Sequence, residues 1–356
     1  MEQKKQDVKL TSFALPYLKG ETADPITCSD GAMQTLGALL YEGLFALDGS
    51  FDPQPALAES YTYDAARYTY TITLRSGVTF SDGSAVTAQD VANSLRRAQS
   101  SARYSGRLAE VSDIRASGGA VRITLTGDNR SFVSRLDIPI VKSGTESSTF
   151  PTGTGPYAYS GEGGAHLAKN ASWWQGKSLP LERIELTACK DTDSVSYAFY
   201  AREVQLLFCD LTGADDSSVY GSGDYTDAAT TIMQYLCLNT RRAPFDDPAV
   251  RRAVTLGVDR ASCVSAYLLG HGLAAQFPVS PASGLYPKDL ETAYSQDGYA
   301  SALEAAGLNT GKTRSLTLLV NQESSFRVST AQTIAAGLSR YDLQVTVRSL
   351  PYDEYV

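Results

Sequence analysis

The amino-acid sequence predicts an α/β protein, and three stretches carry that expectation. Tyr68, Tyr70, Ile72 and Leu74 alternate with threonines, the period of two that gives a strand one buried face. Residues 193–202 have helical character and lead into the apolar run 204–209, so a helix feeds a buried strand, the unit of a layered α/β fold. Near the end, residues 316–320, 330–340 and 343–347 read as strand, helix and strand, for which a right-handed βαβ unit is expected. The 356 residues leave room for two cores, because single cores stop growing at roughly 250–300 residues.

Taken in order, the remaining elements follow from local chemistry. After the strand at 68–74, Ser76-Gly77 and Ser81-Asp82-Gly83 supply turns. Thr87 to Asp90 resembles a capping box with Asp in place of Glu or Gln, and it opens a helix with Val91 and Leu95 on one face. Asn93, Arg96 and Arg97 make its polar side. Val121, Ile123 and Leu125 mark a second half-buried strand. The Gly/Ser-rich stretches 160–164 and 217–223 read as surface loops. Asp247 is placed as an N-cap with Pro248 at the first helical position, and Val250, Val254 and Val258 form the apolar stripe behind them. Asp259 caps a further helix with Val264, Tyr267 and Leu268 on its apolar side and Gly270 at its stop. In the last unit Ile334 and Leu338 share a helix face. The sequence ends six residues after Leu350, which leaves the edge of that unit uncovered, an awkward place for a domain to finish.

Composition narrows the functional classes. A formal charge of −8, with basic residues only in isolated pairs such as Arg96-Arg97 and Arg241-Arg242, gives no electrostatic footprint for nucleic acid. No run approaches the ~18 apolar residues of a membrane span. The polar opening at residues 1–6 has no apolar segment behind it, which fits either a cytoplasmic protein or one whose export signal is not part of this chain. Cys28, Cys189, Cys209, Cys237 and Cys263 show no CxxC or metal spacing, and a role as small hydrophobes is expected for them.

Catalytic constellations are missing. HExxH, GxSxG and GxxxxGK[ST] are all absent, and Gly153-Thr154-Gly155 fails the dinucleotide spacing because Ala158 stands at the third glycine position. The two histidines, His166 and His271, lie in different contexts and read as structural or solvated. The 39 carboxylates single out no acid/base pair. No catalytic residue, cofactor or metal is expected.

Several segments together resemble one family. Asp24-Pro25 followed by residues 40–44 (LYEGL), 55–61 (PALAESY), the stretch 70–90 with its Ser-Asp-Gly turn, 153–157 (GTGPY), Asn239-Thr240 with 244–247 (PFDD) and 250–253 (VRRA), and Pro281 with Tyr286-Pro287 occur in the order of the extracellular solute-binding proteins of family 5, the peptide/nickel class of ABC-importer receptors. The resemblance covers roughly residues 9–350. It implies a class II, Venus-flytrap periplasmic-binding-protein fold with an extra N-terminal α+β subdomain. Lobe I would take 8–46 and 150–236, the subdomain 47–149, and lobe II 237–356, the last being incomplete.

The same resemblance implies a receptor rather than an enzyme, capturing di- or oligopeptides by hinge closure and delivering them to a membrane permease and ATPase. The protein would be a monomer at the extracellular face or in the periplasm, as a lipoprotein whose signal segment is gone. Nickel chelates, sugars or another small solute remain alternatives, as does a sensor or hydrolase on the same fold. The loop holding Tyr17, Leu18, Lys19, Gly20, Glu21 and Thr22 should face the cleft, with Glu21 either pairing a ligand ammonium or standing solvated. Tyr104 reaches the cleft or packs; Asn239 marks the crossover into lobe II. Gly155, Pro156 and Tyr157 lie near the hinge in a structural role, and Trp173 and Trp174 serve as an aromatic platform or as packing.

Overall fold

The computed structural model describes residues 12–212, 224–308 and 310–356. The opening hexapeptide, the first residues of lobe I and the loop at 217–223 lie outside them. The chain forms two compact units, Met1–Cys209 and Asp210–Val356.

The first unit contains β1 (Ala14–Leu18), α1 (Gly31–Leu40), β2 (Phe45–Leu47), β3 (Pro53–Pro55), β4 (Ala58–Asp64), β5 (Thr69–Leu74), α2 (Ala88–Gln99), β6 (Val111–Ser117), β7 (Ala120–Leu125), β8 (Tyr157–Ser160), β9 (His166–Lys169), β10 (Arg183–Cys189) and α3 (Thr192–Tyr200). It holds two cores. One is an antiparallel sheet ordered β4-β5-β7-β6. The alternation read from the sequence makes its inner face, where Tyr70, Ile72, Val121 and Ile123 are buried against Val91 and Leu95 of α2. The capping box of α2 forms in full: Thr87 accepts from the Asp90 N–H, and the Asp90 carboxylate accepts from the Thr87 N–H at 3.0 Å.

The other core lies on a sheet ordered β1-β10-β9-β8, in which β1 and β10 are parallel and the remaining pairs antiparallel. Leu15 and Leu18 of β1 pack there with Met33, Leu36 and Leu40 of α1 and Ile184 of β10. Residues 161–164 form the exposed turn between β8 and β9, where a loop was expected at 160–164.

The buried strand expected at 204–209 is not formed. Val204 is buried, but Leu206 and Phe208 are about half exposed, and no ladder joins this run to β1. The reason lies on the partner strand. Alternate residues of β1 turn their N–H groups away from β10: Ala14 donates to Gln205 Oε1 at 2.7 Å and Leu18 to Met33 Sδ at 3.4 Å. Pro16, between them, has no N–H, so the outer edge of β1 offers a broken row of donors.

The second unit contains α4 (Pro248–Gly257), α5 (Arg260–Tyr267), α6 (Gln296–Ala305), β11 (Arg314–Asn321), α7 (Ser325–Leu338), β12 (Leu343–Leu350) and α8 (Tyr352–Tyr355). Asp247 caps α4 with Pro248 at its first turn, and Asp259 caps α5. Val250 and Val254 of α4 are buried with Tyr299 and Leu303 of α6 and Leu338 of α7. Gly257 allows this approach, since a Cβ there would stand 2.9 Å from both the Tyr299 ring and the Leu338 side chain. β11 and β12 pair in parallel with α7 between them in sequence. Only one face of β11 is covered: Leu316 and Leu318 are half-buried and Val320 buried, whereas Ser315, Thr317 and Leu319 are exposed. One helix screens one side of a strand pair, which explains the alternation.

Candidate functional site

The sequence-derived candidates are best followed from β1 outward. Where β1 ends, Lys19 donates its backbone N–H to the Cys189 carbonyl at 3.0 Å, the last rung toward β10. Gly20 then takes φ +99° with no heavy atom near its missing Cβ, so the glycine supplies rotation rather than space. Glu21 closes the turn by donating its N–H to the Leu18 carbonyl at 3.2 Å. The side chains of Lys19 and Glu21 are exposed, and among the described residues neither has an ion-pair partner. Tyr17 is half-buried with its ring 6.2 Å from that of Phe150, Leu18 is in the core, and the Thr22 hydroxyl accepts from the Asp24 N–H at 3.0 Å.

Asp24 fixes the far end of this loop. It is only 1% exposed, accepts from the Ile26 N–H at 3.2 Å and the Thr27 hydroxyl at 3.0 Å, and pairs with Arg97 of α2. A buried carboxylate paired with a guanidinium from the other core ties the loop to α2, which gives the Asp-Pro motif a structural reason. Arg97 keeps one buried nitrogen, Nη1, without a partner.

The turn carrying Tyr104 comes up against the same loop. Arg103 donates from Nη1 to the Cys28 carbonyl at 3.3 Å, and its guanidinium lies 5.2 Å from the Tyr104 ring centroid. Arg107, paired with Asp137, lies 5.6 Å from the same ring. Tyr104 is 6% exposed and belongs to the antiparallel-sheet core, so packing is the role its ring fills. Its hydroxyl has no hydrogen-bond partner among the described residues. Burial pushes the Tyr104 phenol above its ordinary range despite the two arginines. Burial likewise pushes up the Cys28 thiol, which feels Arg103 and Glu21 with opposite signs. Arg103 and Glu21 thus both act on Cys28, and Arg103 lies over the Tyr104 ring, 83 positions from Glu21 in the sequence.

The glycines of the 153–157 segment and the two tryptophans serve a different centre. The Glu42 carboxylate accepts four hydrogen bonds: from Thr154 Oγ1 at 2.9 Å and Trp174 Nε1 at 2.7 Å on one oxygen, and from Trp173 Nε1 at 3.2 Å and Gln175 Nε2 at 2.9 Å on the other. Arg75 covers the Trp174 ring at 4.8 Å. Both indole N–H groups are therefore committed at this hub, and of the two roles open to Trp173 and Trp174 the structural one is filled. A Cβ on Gly155 would stand 2.5 Å from the Leu39 carbonyl oxygen and the Leu40 carbonyl carbon, so glycine is needed for backbone to pass backbone. Asn239, in the second unit, is exposed; its side-chain oxygen accepts from the Arg241 N–H at 3.1 Å.

Of the histidines, His166 is buried with Nδ1 2.8 Å from the Gly164 carbonyl, and His271 pairs with Asp227 at 2.9 Å. Cys28, Cys189 and Cys263 are buried, as hydrophobes would be, whereas Cys237 is exposed. Among the described residues no cluster of three or more His, Cys, Asp or Glu could hold a metal ion, and no helix is long and apolar enough to cross a membrane. Sequence reasoning missed Arg103 and the reach of Asp24. The adjacency of Arg103 to the chosen Tyr104 was the one local signal available.

Three comparisons bear on this arrangement. A family model described as bacterial extracellular solute-binding proteins, family 5 Middle, matches residues 52–356. The chain is 28% identical over 294 residues to the glutathione-binding protein GsiB of Shigella flexneri serotype 5b, across 77% of this chain and 55% of that protein. The GsiB of Escherichia coli strain K12 matches at the same identity and extent. The chain thus spans about half the length of the curated relatives it matches. Among solved structures, a nickel ABC transporter from Bacillus halodurans superimposes with a TM-score of 0.73 at 24% identity, over 96% of this chain and 75% of that one. The periplasmic binding protein DppA from Helicobacter pylori, in complex with the peptide STSA, gives 0.60 at 20% identity, over 97% and 75%.

Proposed function

The chain belongs to the bacterial extracellular solute-binding proteins of family 5, with their class II periplasmic-binding-protein-like fold, and on that premise we propose that it captures di- or oligopeptides as the receptor of an ABC importer. Binding without catalysis is the chemistry intended. The observation that carries the reading is the rim of the first unit, where exposed Lys19 and Glu21 stand unpaired on a glycine turn beside Arg103 and Tyr104. A free peptide presents an ammonium and a carboxylate, and unpaired charges of both signs on one turn suit such a zwitterion. Tyr17, Leu18, Lys19, Glu21, Thr22 and Tyr104 would contribute from lobe I and Asn239 from lobe II.

In this reading lobe I comprises 8–46 and 150–236, the subdomain 47–149, and lobe II 237–356; the compact second unit begins earlier, at Asp210. Ligand binding would shift a hinge equilibrium toward closure, by no more than the difference in affinity between the two forms. The receptor would work as a monomer outside the cytoplasmic membrane, as a lipoprotein, and hand its ligand to a permease and ATPase. Glutathione, nickel and a peptide appear in the descriptions of the similar proteins, so the test is a thermal-unfolding panel of peptides, free amino acids, sugars and nickel–histidine. A rise in melting temperature confined to peptides supports the reading; a rise confined to another class replaces the ligand.

A further inference from the structure

Among the described residues β12 pairs with β11 alone, so every second residue turns its N–H and C=O away from that partner. The Asp342 carbonyl accepts from the Arg314 N–H at 2.6 Å, and the Leu350 carbonyl from the Gln322 N–H at 2.8 Å. Even-numbered residues of the strand therefore face β11, and Leu343, Val345, Val347 and Ser349 face outward. A row of open backbone groups of this kind is a template for a further strand. The outward positions are filled unequally. Leu343 donates to the Arg340 carbonyl at 3.3 Å within the turn from α7. At Val345 one hydroxyl stands in for a neighbouring strand: Ser339 Oγ accepts from the Val345 N–H at 2.8 Å and donates to the Val345 carbonyl at 3.1 Å. Ser339 is set there as the C-cap of α7, donating its own N–H to the Ala335 carbonyl at 2.8 Å. Tyr341, at φ +58°, turns the chain back. Buried Asp342 holds the turn by accepting from the Thr310 hydroxyl at 3.1 Å and the Gly311 N–H at 2.8 Å. Val347 and Ser349 have no outward backbone partner among the described residues.

We propose that Ser339 is an edge guard: by occupying both hydrogen-bonding groups of Val345, it keeps a second copy of the chain from adding its own β12 to this edge. Without it the outward row would run unbroken through Val345, Val347 and Ser349. The residues there suit strand pairing, since Val345, Thr346 and Val347 are β-branched and the stretch 345–349 has one charge and no proline. In an antiparallel pair centred on Val347, Val345 meets Ser349 of the second copy and Arg348 meets Thr346, so no like charges oppose. The guard is independent of the ligand the chain binds.

The test is sedimentation velocity of the 356-residue chain and its Ser339→Ala variant over a concentration series. The Val345 N–H and C=O freed in each copy are worth at least about tenfold in association. Ser339→Ala should therefore dimerise at least about tenfold more readily than the parent chain, and Ser339→Thr, which keeps the hydroxyl, should not. Adding Ser349→Pro to Ser339→Ala removes an outward N–H that would meet Val345, without touching the β11 ladder, and should reverse the gain. A Ser339→Ala chain that folds and stays as monomeric as the parent overturns the guard, as does association that survives Ser349→Pro. Amide hydrogen exchange on the unaltered chain gives a reading that needs no variant. The Val345 N–H should exchange at least about tenfold more slowly than those of Val347 and Ser349, and equal rates overturn the proposal.

Discussion

Two glutamates of the first unit, Glu42 and Glu21, show how the same side chain takes opposite roles. Glu42 accepts four hydrogen bonds from residues more than 100 positions away, among them both tryptophans. Glu21, 21 residues earlier, stands exposed at the end of β1 with its carboxylate unpaired among the described residues. The hub makes a carboxylate part of the architecture, because leaving any of its donors unsatisfied costs the full desolvation of that group. The rim keeps its carboxylate available. In a chain with 39 carboxylates, the ones to follow for binding are those the fold has not already satisfied.

That contrast can be broken from the hub side first. Gly155→Ala forces a Cβ against the backbone of Leu39 and Leu40 and should destabilise the first unit by about 4 kcal/mol, at the upper end for single substitutions; denaturant titration reads it as a lower midpoint. Glu42→Gln keeps the shape but turns an NH2 toward two of the donors, and should cost about 2 kcal/mol in the same titration. A smaller effect tests an intermediate case. Lys142 beside Asp82, with the Ser84 hydroxyl, holds the Asp82 carboxyl at about 2, below its ordinary 3.8. A depressed folded-state value adds stability that is fully present above the unfolded value and is lost as pH falls through the folded one. Asp82→Asn should therefore flatten the acid arm of the stability curve between about pH 4 and pH 2, by under about 1 kcal/mol because the partly exposed pair is screened by water. At the far end, Glu21→Gln should change stability by less than about 0.5 kcal/mol while weakening peptide binding. A clear loss of stability there would mean that the rim carboxylate has a structural partner after all.

The same contrast explains what the sequence disclosed. Caps are local, so Thr87/Asp90, Asp247-Pro248 and Asp259 were legible from spacing and hold in the structure. The stripe at 68–74 was legible because an antiparallel sheet with one covered face imposes a period of two. The run at 204–209 misled because its fate depends on Pro16, almost 190 residues earlier, which removes a donor from the strand it would have joined. The run at 316–320 was legible as a strand but not in its one-sided cover, because a short apolar run carries no mark of how many helices cover it. Arg103 was missed for a related reason: an arginine stands out only once every neighbouring carboxylate has been assigned, and the assignments of Asp24 to Arg97 and of Asp137 to Arg107 cross long stretches of chain.

The hub also determines how the molecule looks to a spectroscopist. The sequence has two tryptophans, and both indole nitrogens rest on the Glu42 carboxylate in the first unit. Indole emission is therefore a report from that one locus, and the second unit is dark to it. An unfolding curve followed by tryptophan fluorescence records the release of Trp173 and Trp174 alone, while far-ultraviolet dichroism sums the helices of both units. Superposition of the two curves would mark the units as one cooperative block, and a gap between them would measure the second unit's stability in its own right.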